Sequence, residues 1–263
     1  MSTTVIESPG PGTAVVLART AAAEWCRLWS VRSTWWCAIA TTVAVIGVGT
    51  LAGIDLRDVQ APEASAWEIG QFAAGLWMFI LLVFALVTTT ADHTSGGIVP
   101  TLQWTPRRGA LLAARTSVIV VSVTVFGQLL VTAASITVHL WAPELGLPVA
   151  EGSRTLAWAA FVHAMCALLA AGIGMATRST GGGLAGVFAL IIVLPILLQV
   201  VPHELAVRLN ETLPGTAVIY LLSGDGPGGT EMTTTSSVVT LVCWSVAALA
   251  AGGWRLLRTD AGG

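Results

Sequence analysis

The chain alternates between long apolar runs and short polar segments. Six of the runs approach or exceed the length needed to cross a bilayer, which takes about 20 apolar residues in a helix. They cover residues 34–54, 70–91, 114–141, 156–176, 184–201 and 237–257. The pattern predicts an all-α, polytopic membrane protein with one transmembrane domain, residues 34–257, built from six transmembrane helices.

Two of the runs depart from a simple span. The third is longer than a bilayer requires, which predicts a tilt or an extension into the cytoplasm. The fifth is the shortest and contains Pro195, which lacks a backbone N–H and predicts a kink. After it comes an apolar stretch, residues 217–222, that is too short to cross a bilayer. This stretch predicts an external re-entrant or interfacial element between helices five and six.

The ends of the chain differ in character from the spans. Residues 1–12 are polar and rich in Gly and Pro, which predicts a disordered N-terminal tail, and residues 258–263 form a short C-terminal tail. Residues 13–33 place their leucines and tryptophans on one helical face, which predicts an interfacial helix on the cytoplasmic leaflet. Such a helix is either a plain membrane anchor or a platform on which a cytoplasmic subunit docks.

Composition supports a lipid environment for most of the chain. Of its 263 residues, 55% are hydrophobic and 10% are charged, whereas soluble domains carry about 25% charged residues. A soluble fold of this length would need a larger charged surface. We therefore expect membrane lipids, and no nucleic acid, among its partners.

The positive charge is divided unequally between the two sides of the predicted bundle. The chain has no lysine, and nine of its twelve arginines lie on the side of the two termini, against four acids. These nine are Arg19, Arg27, Arg32, Arg107, Arg108, Arg115, Arg178, Arg255 and Arg258. The opposite side has three arginines and ten acids. By the positive-inside rule, both termini are predicted to be cytoplasmic. The predicted location of the protein is the inner (plasma) membrane.

One sizeable loop, residues 92–114, faces the cytoplasm in this arrangement. It contains a predicted short helix over residues 97–104 that Pro106 stops. The apolar side chains that this helix projects are Ile98, Leu102 and Trp104. Burial among lipid headgroups and burial against a partner protein explain them equally well. Arg107 and Arg108 next to them suit phosphate groups.

The polar residues well inside the spans are few and only mildly polar. They include Gln128 in helix three, His163 in helix four and Gln199 in helix five, which we take as candidates for a substrate path. His163 is either a proton relay or substrate contact, or a hydrogen-bonding group between neighbouring helices. No acid lies well inside a span, which argues against a proton-coupled carrier.

The chemistry of an autonomous enzyme is also missing. A chain without lysine cannot carry the Walker A signature, so it is not expected to hydrolyse ATP by itself. No Ser-His-Asp or paired-carboxylate arrangement stands at membrane depth. The four cysteines lack the spacing of a zinc site or of a disulfide framework. We therefore predict no catalytic, cofactor or metal site in this chain.

Two motifs resemble those of a known family. One is Glu24-Trp25 followed by Ser30-Val31-Arg32-Ser33-Thr34-Trp35-Trp36. The other runs from Asp92 through Gly97-Ile98, Thr101-Leu102, Pro106-Arg107-Arg108 and Leu112 to Arg115. With these motifs the chain resembles, over its full length, the permease subunits of type-2 ABC transporters, particularly the six-helix exporter permeases common in actinobacteria. The departures are Asp92-His93 where the family usually has a Glu, often Glu-Tyr, Arg115 where it commonly has a Lys, and Pro100.

The resemblance implies how such a chain would be driven. In the family the second motif forms a coupling helix that sits in a groove on a separate ATPase subunit, and the interfacial helix borders the same contact. The implied coupling residues here are Glu24, Arg27, Arg32, Asp92, Gly97, Ile98, Leu102, Trp104, Pro106, Arg107 and Arg108. The resemblance thus favours docking for both segments.

The expected function is that of a permease subunit of an ATP-binding cassette exporter. It would pair with a second permease, identical or homologous, and with two copies of an ATPase subunit that uses ATP and Mg. The substrate path would lie between the two permeases. The alternatives are a non-transporting immunity or sensor protein with the same fold, and a secondary carrier.

Overall fold

The structure is a computed structural model that describes residues 12–57, 64–94 and 108–258. Within these ranges the regular structure is entirely helical. The predicted tails, residues 1–12 and 258–263, lie almost wholly outside the described residues. The short helix predicted over residues 97–104 also lies outside them.

The helices follow one another with short connections. The first six are α1 (Thr13–Ser30), α2 (Arg32–Leu56), α3 (Ala66–Leu76), α4 (Met78–Thr94), α5 (Arg108–Trp141) and α6 (Val149–Thr177). The remaining five are α7 (Thr180–Phe188), α8 (Leu194–Val200), α9 (Glu204–Glu211), α10 (Pro214–Ser223) and α11 (Thr234–Arg258). Five helices in the described residues are long and apolar enough to cross a membrane, or six if one bent pair forms a single span. A polytopic helical membrane protein is therefore confirmed in outline.

The bent pair is the second predicted span. Residues Ala66–Gly75 and Met78–Ala91 meet at an angle of 44°. Trp77 between them leaves the helical region, with φ −99° and ψ 1°. The Ser65 hydroxyl caps the first half by accepting from the Glu68 N–H at 3.3 Å, which satisfies one free donor of the first turn.

The fifth predicted span contains a π-helical turn. It runs over Ala189–Val193, between α7 and α8, directly before Pro195. The Leu194 N–H bonds to the Ala189 carbonyl, five residues back. Pro195 has no N–H to donate to the Ile191 carbonyl, so the regular series of α-helical backbone hydrogen bonds is interrupted here. A single π-helical turn accommodates such an interruption within a helix.

The core is centred on α6, which packs against α4, α5, α7 and α11. Its inner face is lined by small and medium side chains that are fully buried, among them Val162, Ala167 and Ala170. Gly172 lets α11 approach closely, because a Cβ there would lie 2.3 Å from the Ala248 carbonyl carbon. Close approach over small residues is how helices associate in lipid.

The segment between α8 and α11 folds back onto the bundle through α9 and α10. The Thr216 hydroxyl donates to Asn210 Oδ1 at 2.8 Å, and both residues are buried. The Trp244 indole donates to the Thr212 carbonyl at 2.8 Å and ties this segment to α11. Gly215, at the start of α10, lies against the Ile191 backbone, where a Cβ would be 2.2 Å from the carbonyl oxygen. The apolar stretch predicted over residues 217–222 lies within α10.

Candidate functional site

The site occupies one end of the bundle, which we call the arginine-rich end. It is where α1 ends, α4 ends, α5 begins and α6 and α11 end. Its arginines join these helix ends through hydrogen bonds. The set consists of Arg27, Arg108, Arg115, Arg178 and Arg255. The sequence-based assignment of these five arginines to one side of the bundle agrees with these contacts.

A buried carboxylate lies at the centre of this end. Glu24 Oε1 accepts from Arg115 Nη2 at 3.0 Å, and Glu24 Oε2 accepts from Arg115 Nε at 3.3 Å. The side chains are only 9% and 3% exposed, respectively. This two-pronged contact fixes both the distance and the orientation of the two groups, so it joins α1 rigidly to α5.

Arg27 extends the contact to a third helix. Its Nη2 atom lies 2.7 Å from Glu24 Oε2 and donates to the Thr88 carbonyl of α4 at 3.3 Å. Its side chain is 36% exposed. Glu24 and Arg27 together therefore link α1 to the two helices on either side of residues 95–107, Arg27 to α4 and Glu24 to α5. We call Glu24, Arg27 and Arg115 the carboxylate node.

The local sequence explains why Glu24 points inward. Thr20, Glu24 and Leu28 are the buried residues of α1 and lie four residues apart, which places them on one helical face. The helix then breaks at Val31, whose backbone is extended. Its buried face is thereby fixed against α5 and the start of α2.

Contacts across the break hold α1 against α2. The Thr34 hydroxyl donates to the Leu28 carbonyl at 2.8 Å, and the Trp35 indole donates to the Trp29 carbonyl at 3.0 Å. The rings of Trp25, Trp29 and Trp35 pack in series at centroid distances of 5.7 and 5.3 Å. Trp25 and Trp35 are about half exposed, as expected of aromatic residues at a membrane interface.

A second group of contacts joins α5, α6 and α11. Arg108 donates to the Leu256 and Leu257 carbonyls, both at 3.4 Å. Arg178 donates to the Arg255 carbonyl at 3.2 Å, and Arg255 donates to a carbonyl near the end of α6. Cations at helix C-termini satisfy free carbonyls and interact favourably with the helix dipole. Partial burial, together with the charge of Arg255, lowers the pKa of Arg178.

The described coupling residues lie in four places. Glu24 and Arg27 belong to the carboxylate node, and Arg108 binds the end of α11. Arg32 is the exposed first residue of α2. Asp92 lies in the last turn of α4. The other predicted coupling residues lie outside the described residues: Gly97, Ile98, Leu102, Trp104, Pro106 and Arg107.

Arg115 is the member of the site that sequence reasoning missed. It was counted as a cytoplasmic charge and as a departure from the family pattern, and not as a coupling residue. The signal for its role was its position inside the apolar pattern of α5, where a charge needs a partner. Glu24, the acid of residues 13–33, was the available candidate.

The three candidate substrate-path residues do not meet in one place. Gln128, with its amide suitably oriented, donates to the Leu156 carbonyl at 3.1 Å and accepts from the Ala160 N–H at 2.9 Å. His163 is buried against Gly127, where a Cβ would lie 2.7 Å from the ring. Both residues therefore lie between α5 and α6. Gln199 is exposed on α8, so the assignment of a common path remains a prediction.

Comparison with known proteins adds no identification. No protein-family model and no curated protein matches the chain. Among the described residues, no group of three or more His, Cys, Asp or Glu side chains is placed to hold a metal ion. The function must therefore be inferred from the geometry of the arginine-rich end and from the sequence motifs.

Proposed function

We propose that this chain is the transmembrane permease subunit of an ATP-binding cassette exporter in the plasma membrane. It works with a second permease, identical or homologous, and with two copies of an ATPase subunit that uses ATP and Mg. The chain itself supplies the substrate pathway and no catalytic site. The pathway would lie between the two permeases, where an apolar lining suits hydrophobic or amphiphilic cargo.

The carboxylate node is the observation that carries this proposal. Residues 95–107 connect the end of α4 to the start of α5, and they contain the predicted coupling helix. Thr88, which accepts from Arg27, lies six residues before the end of α4 at Thr94, and Arg115 lies seven residues after Arg108. Both sides of the connection are thus joined to α1, the α4 side through Arg27 and the α5 side through Glu24.

This geometry supports a mechanical role. A force on residues 97–104 would act on α4 and α5 together. The carboxylate node would transmit this force to α1, so that the three helices move as one unit. Transmission of that kind needs stiff contacts between packed elements. A buried two-pronged ion pair is stiffer than an exposed one, because both partners are held by packing as well as by charge.

In this proposal the energy source lies outside the chain. Without lysine the chain has no Walker A loop, and no acid lies well inside a predicted span. A partner ATPase would supply the energy. The apolar side chains Ile98, Leu102 and Trp104 would be the surface that this partner covers.

The proposed topology has six spans with both termini in the cytoplasm. The bent pair α3 and α4 would form span two, and the arginine-rich end would face the cytoplasm by the positive-inside rule. In this arrangement α9 and α10 form an external re-entrant element. The buried Asn210–Thr216 hydrogen bond supports that placement, because backbone that enters the membrane without spanning it must be covered by protein.

Affinity purification tests the proposal. The tagged chain, extracted from its native membrane in mild detergent, is expected to bring down an ATPase subunit with a Walker A sequence. L102D is expected to lose that subunit, because a carboxylate cannot be buried in an apolar groove without a partner. The control is L205D, the same substitution at an exposed leucine of α9. Recovery of the chain alone, or equal ATPase recovery with L102D, would contradict the proposal.

A further inference from the structure

A hollow of about 400 Å³ lies beside the carboxylate node. It is enclosed by α1, α2, α4 and α5, and most of its wall is apolar. Its lining residues include Leu28, Val31, Cys37, Phe84, Val87 and Ile119. Its volume lies within the range of pockets that hold organic ligands, about 300–1,000 Å³. The hollow is therefore large enough for part of a lipid molecule.

Part of the hollow lies at the surface of the bundle. Its lining residues Val31 and Val87 are 47% and 38% exposed, whereas Leu28 and Ile119 are buried. The lining includes residues of α2 and α4, which in the proposed topology are spans in contact with the acyl chains of lipids. A lipid would thus enter the hollow from the bilayer.

The end of the hollow nearest α1 is charged. Among its described lining residues are two guanidinium groups, Arg27 and Arg115, and one carboxylate, Glu24. Arg115 is buried, but Arg27 is about one third exposed at the rim. A guanidinium group has five N–H donors and can serve several acceptors at once, with a geometry suited to phosphate.

Water is poorly stabilised in the apolar part of this hollow. A water molecule needs two to four polar partners to be stable inside a protein, and dry apolar cavities instead take up apolar molecules. The ligand should therefore have a hydrocarbon part for the wall and an anionic group for the rim. Basic pockets between transmembrane helices on the cytoplasmic side are known to bind anionic lipid headgroups.

We infer that the hollow binds one anionic phospholipid of the cytoplasmic leaflet. One acyl chain lies between α2 and α4 against Phe84 and Val87, and the phosphate group lies beside Arg27. The lipid would fill the gap between the interfacial helix and span two. This inference does not depend on transport or on an ATPase partner.

Native mass spectrometry of the full chain in detergent micelles measures the binding directly. The probes are phosphatidylglycerol and phosphatidylcholine with identical acyl chains, mixed in equal amounts. The first bound lipid is expected to be phosphatidylglycerol, with a preference of about fivefold, the effect of one basic residue near an anionic lipid. R27Q is expected to abolish the preference.

The matched control is R154Q, which removes the same charge from an exposed residue at the start of α6, the end of the bundle away from the node. It is expected to keep the preference. Equal binding of both lipids by the unmodified chain would mean hydrophobic filling only and would overturn the inference. A preference that R27Q and R154Q change equally would overturn it as well.

Cys37 locates the bound lipid without depending on a variant of the node. In a C26S/C243S chain the two exposed cysteines are gone, and Cys166 is fully buried. Maleimide labelling of Cys37 is expected to slow as phosphatidylglycerol is added, whereas inorganic phosphate, which lacks an acyl chain, is expected to leave it unchanged. A labelling rate that phosphatidylglycerol does not alter would overturn the assignment to this hollow.

Discussion

At the scale of single residues, the Glu24 carboxylate is the group on which the arginine-rich end depends. Its two oxygens serve Arg115 and Arg27, and the Arg115 partner is almost completely buried. A buried charge without its partner is costly, although a buried pair is not by itself strongly stabilising. The important quantity is therefore the loss when one partner is removed.

E24Q is expected to lower the free energy of unfolding by about 3–5 kcal/mol, the usual cost of removing one partner of a buried ion pair. The measurement is thermal or denaturant unfolding of the purified chain in detergent. The control is E204Q, which removes an exposed pair with Arg208 and is expected to cost at most about 1 kcal/mol. The double variant E24Q/R115M is expected to regain part of the loss, because it removes the buried charge. Equal losses for E24Q and E204Q would contradict the central position of the node.

The role of Arg115 shows what a sequence pattern cannot supply. Its partner lies 91 residues away along the chain, and no helical period connects positions so distant. The inward direction of Glu24 also depends on how α1 packs against α5. Amphipathicity predicted the helix itself, but the pairing follows from tertiary packing.

At the scale of elements, α6 and α11 approach each other closely through two glycines. Gly172 faces the Ala248 backbone, and a Cβ at Gly252 would lie 2.5 Å from the Gly172 carbonyl oxygen. Neither neighbour is a flexible side chain that can move aside. The two helices can pack at this distance only because both positions lack a side chain.

G172A is expected to push α6 and α11 apart and to lower the free energy of unfolding by about 1–3 kcal/mol, the usual cost of overpacking. The same unfolding assay measures it. G47A is the control, because a Cβ at Gly47 of α2 would have nothing within 4 Å, and alanine favours a helix over glycine. If G172A lowered the free energy of unfolding no more than G47A does, the close packing of α6 against α11 would be contradicted.

The spans themselves were largely predictable, because a chain in lipid must satisfy its backbone hydrogen bonds within each helix and needs a fixed apolar length. Irregularities were predictable only where a residue forces them. Pro195 indicated a defect in span five, and the π-helical turn lies directly before it. The break at Trp77 carries no comparable signal, since residues 70–91 are apolar on both sides of it.

At the scale of the whole molecule, the proposed topology makes a direct prediction. Alkaline phosphatase fused after residues 60, 146 or 228 is expected to be active, because those positions would be outside the cell. Phosphatase fusions after residues 100 or 179 are expected to be inactive. A fluorescent protein that folds only in the cytoplasm is expected to fluoresce when it is fused at these two positions. An active phosphatase after residue 100 would contradict the cytoplasmic position of the proposed coupling segment.

The arrangement as a whole connects residues 95–107 to several helices. The node joins α1, α4 and α5, and the second group of arginine contacts joins α5, α6 and α11. Through α5, a displacement of residues 95–107 would reach both groups. This connection is the physical reason for assigning the function to the arginine-rich end and not to the polar residues within the spans.

The most direct test of the central claim is the rate of ATP hydrolysis in affinity-purified preparations of the chain. The account predicts hydrolysis that co-purifies with the intact chain and with L205D, and that falls to the level of a mock purification with L102D. The proposal assigns this activity to a bound partner, since a chain without lysine cannot carry a Walker A loop. Preparations of the intact chain that contain no ATP hydrolysis above the mock level would contradict the account.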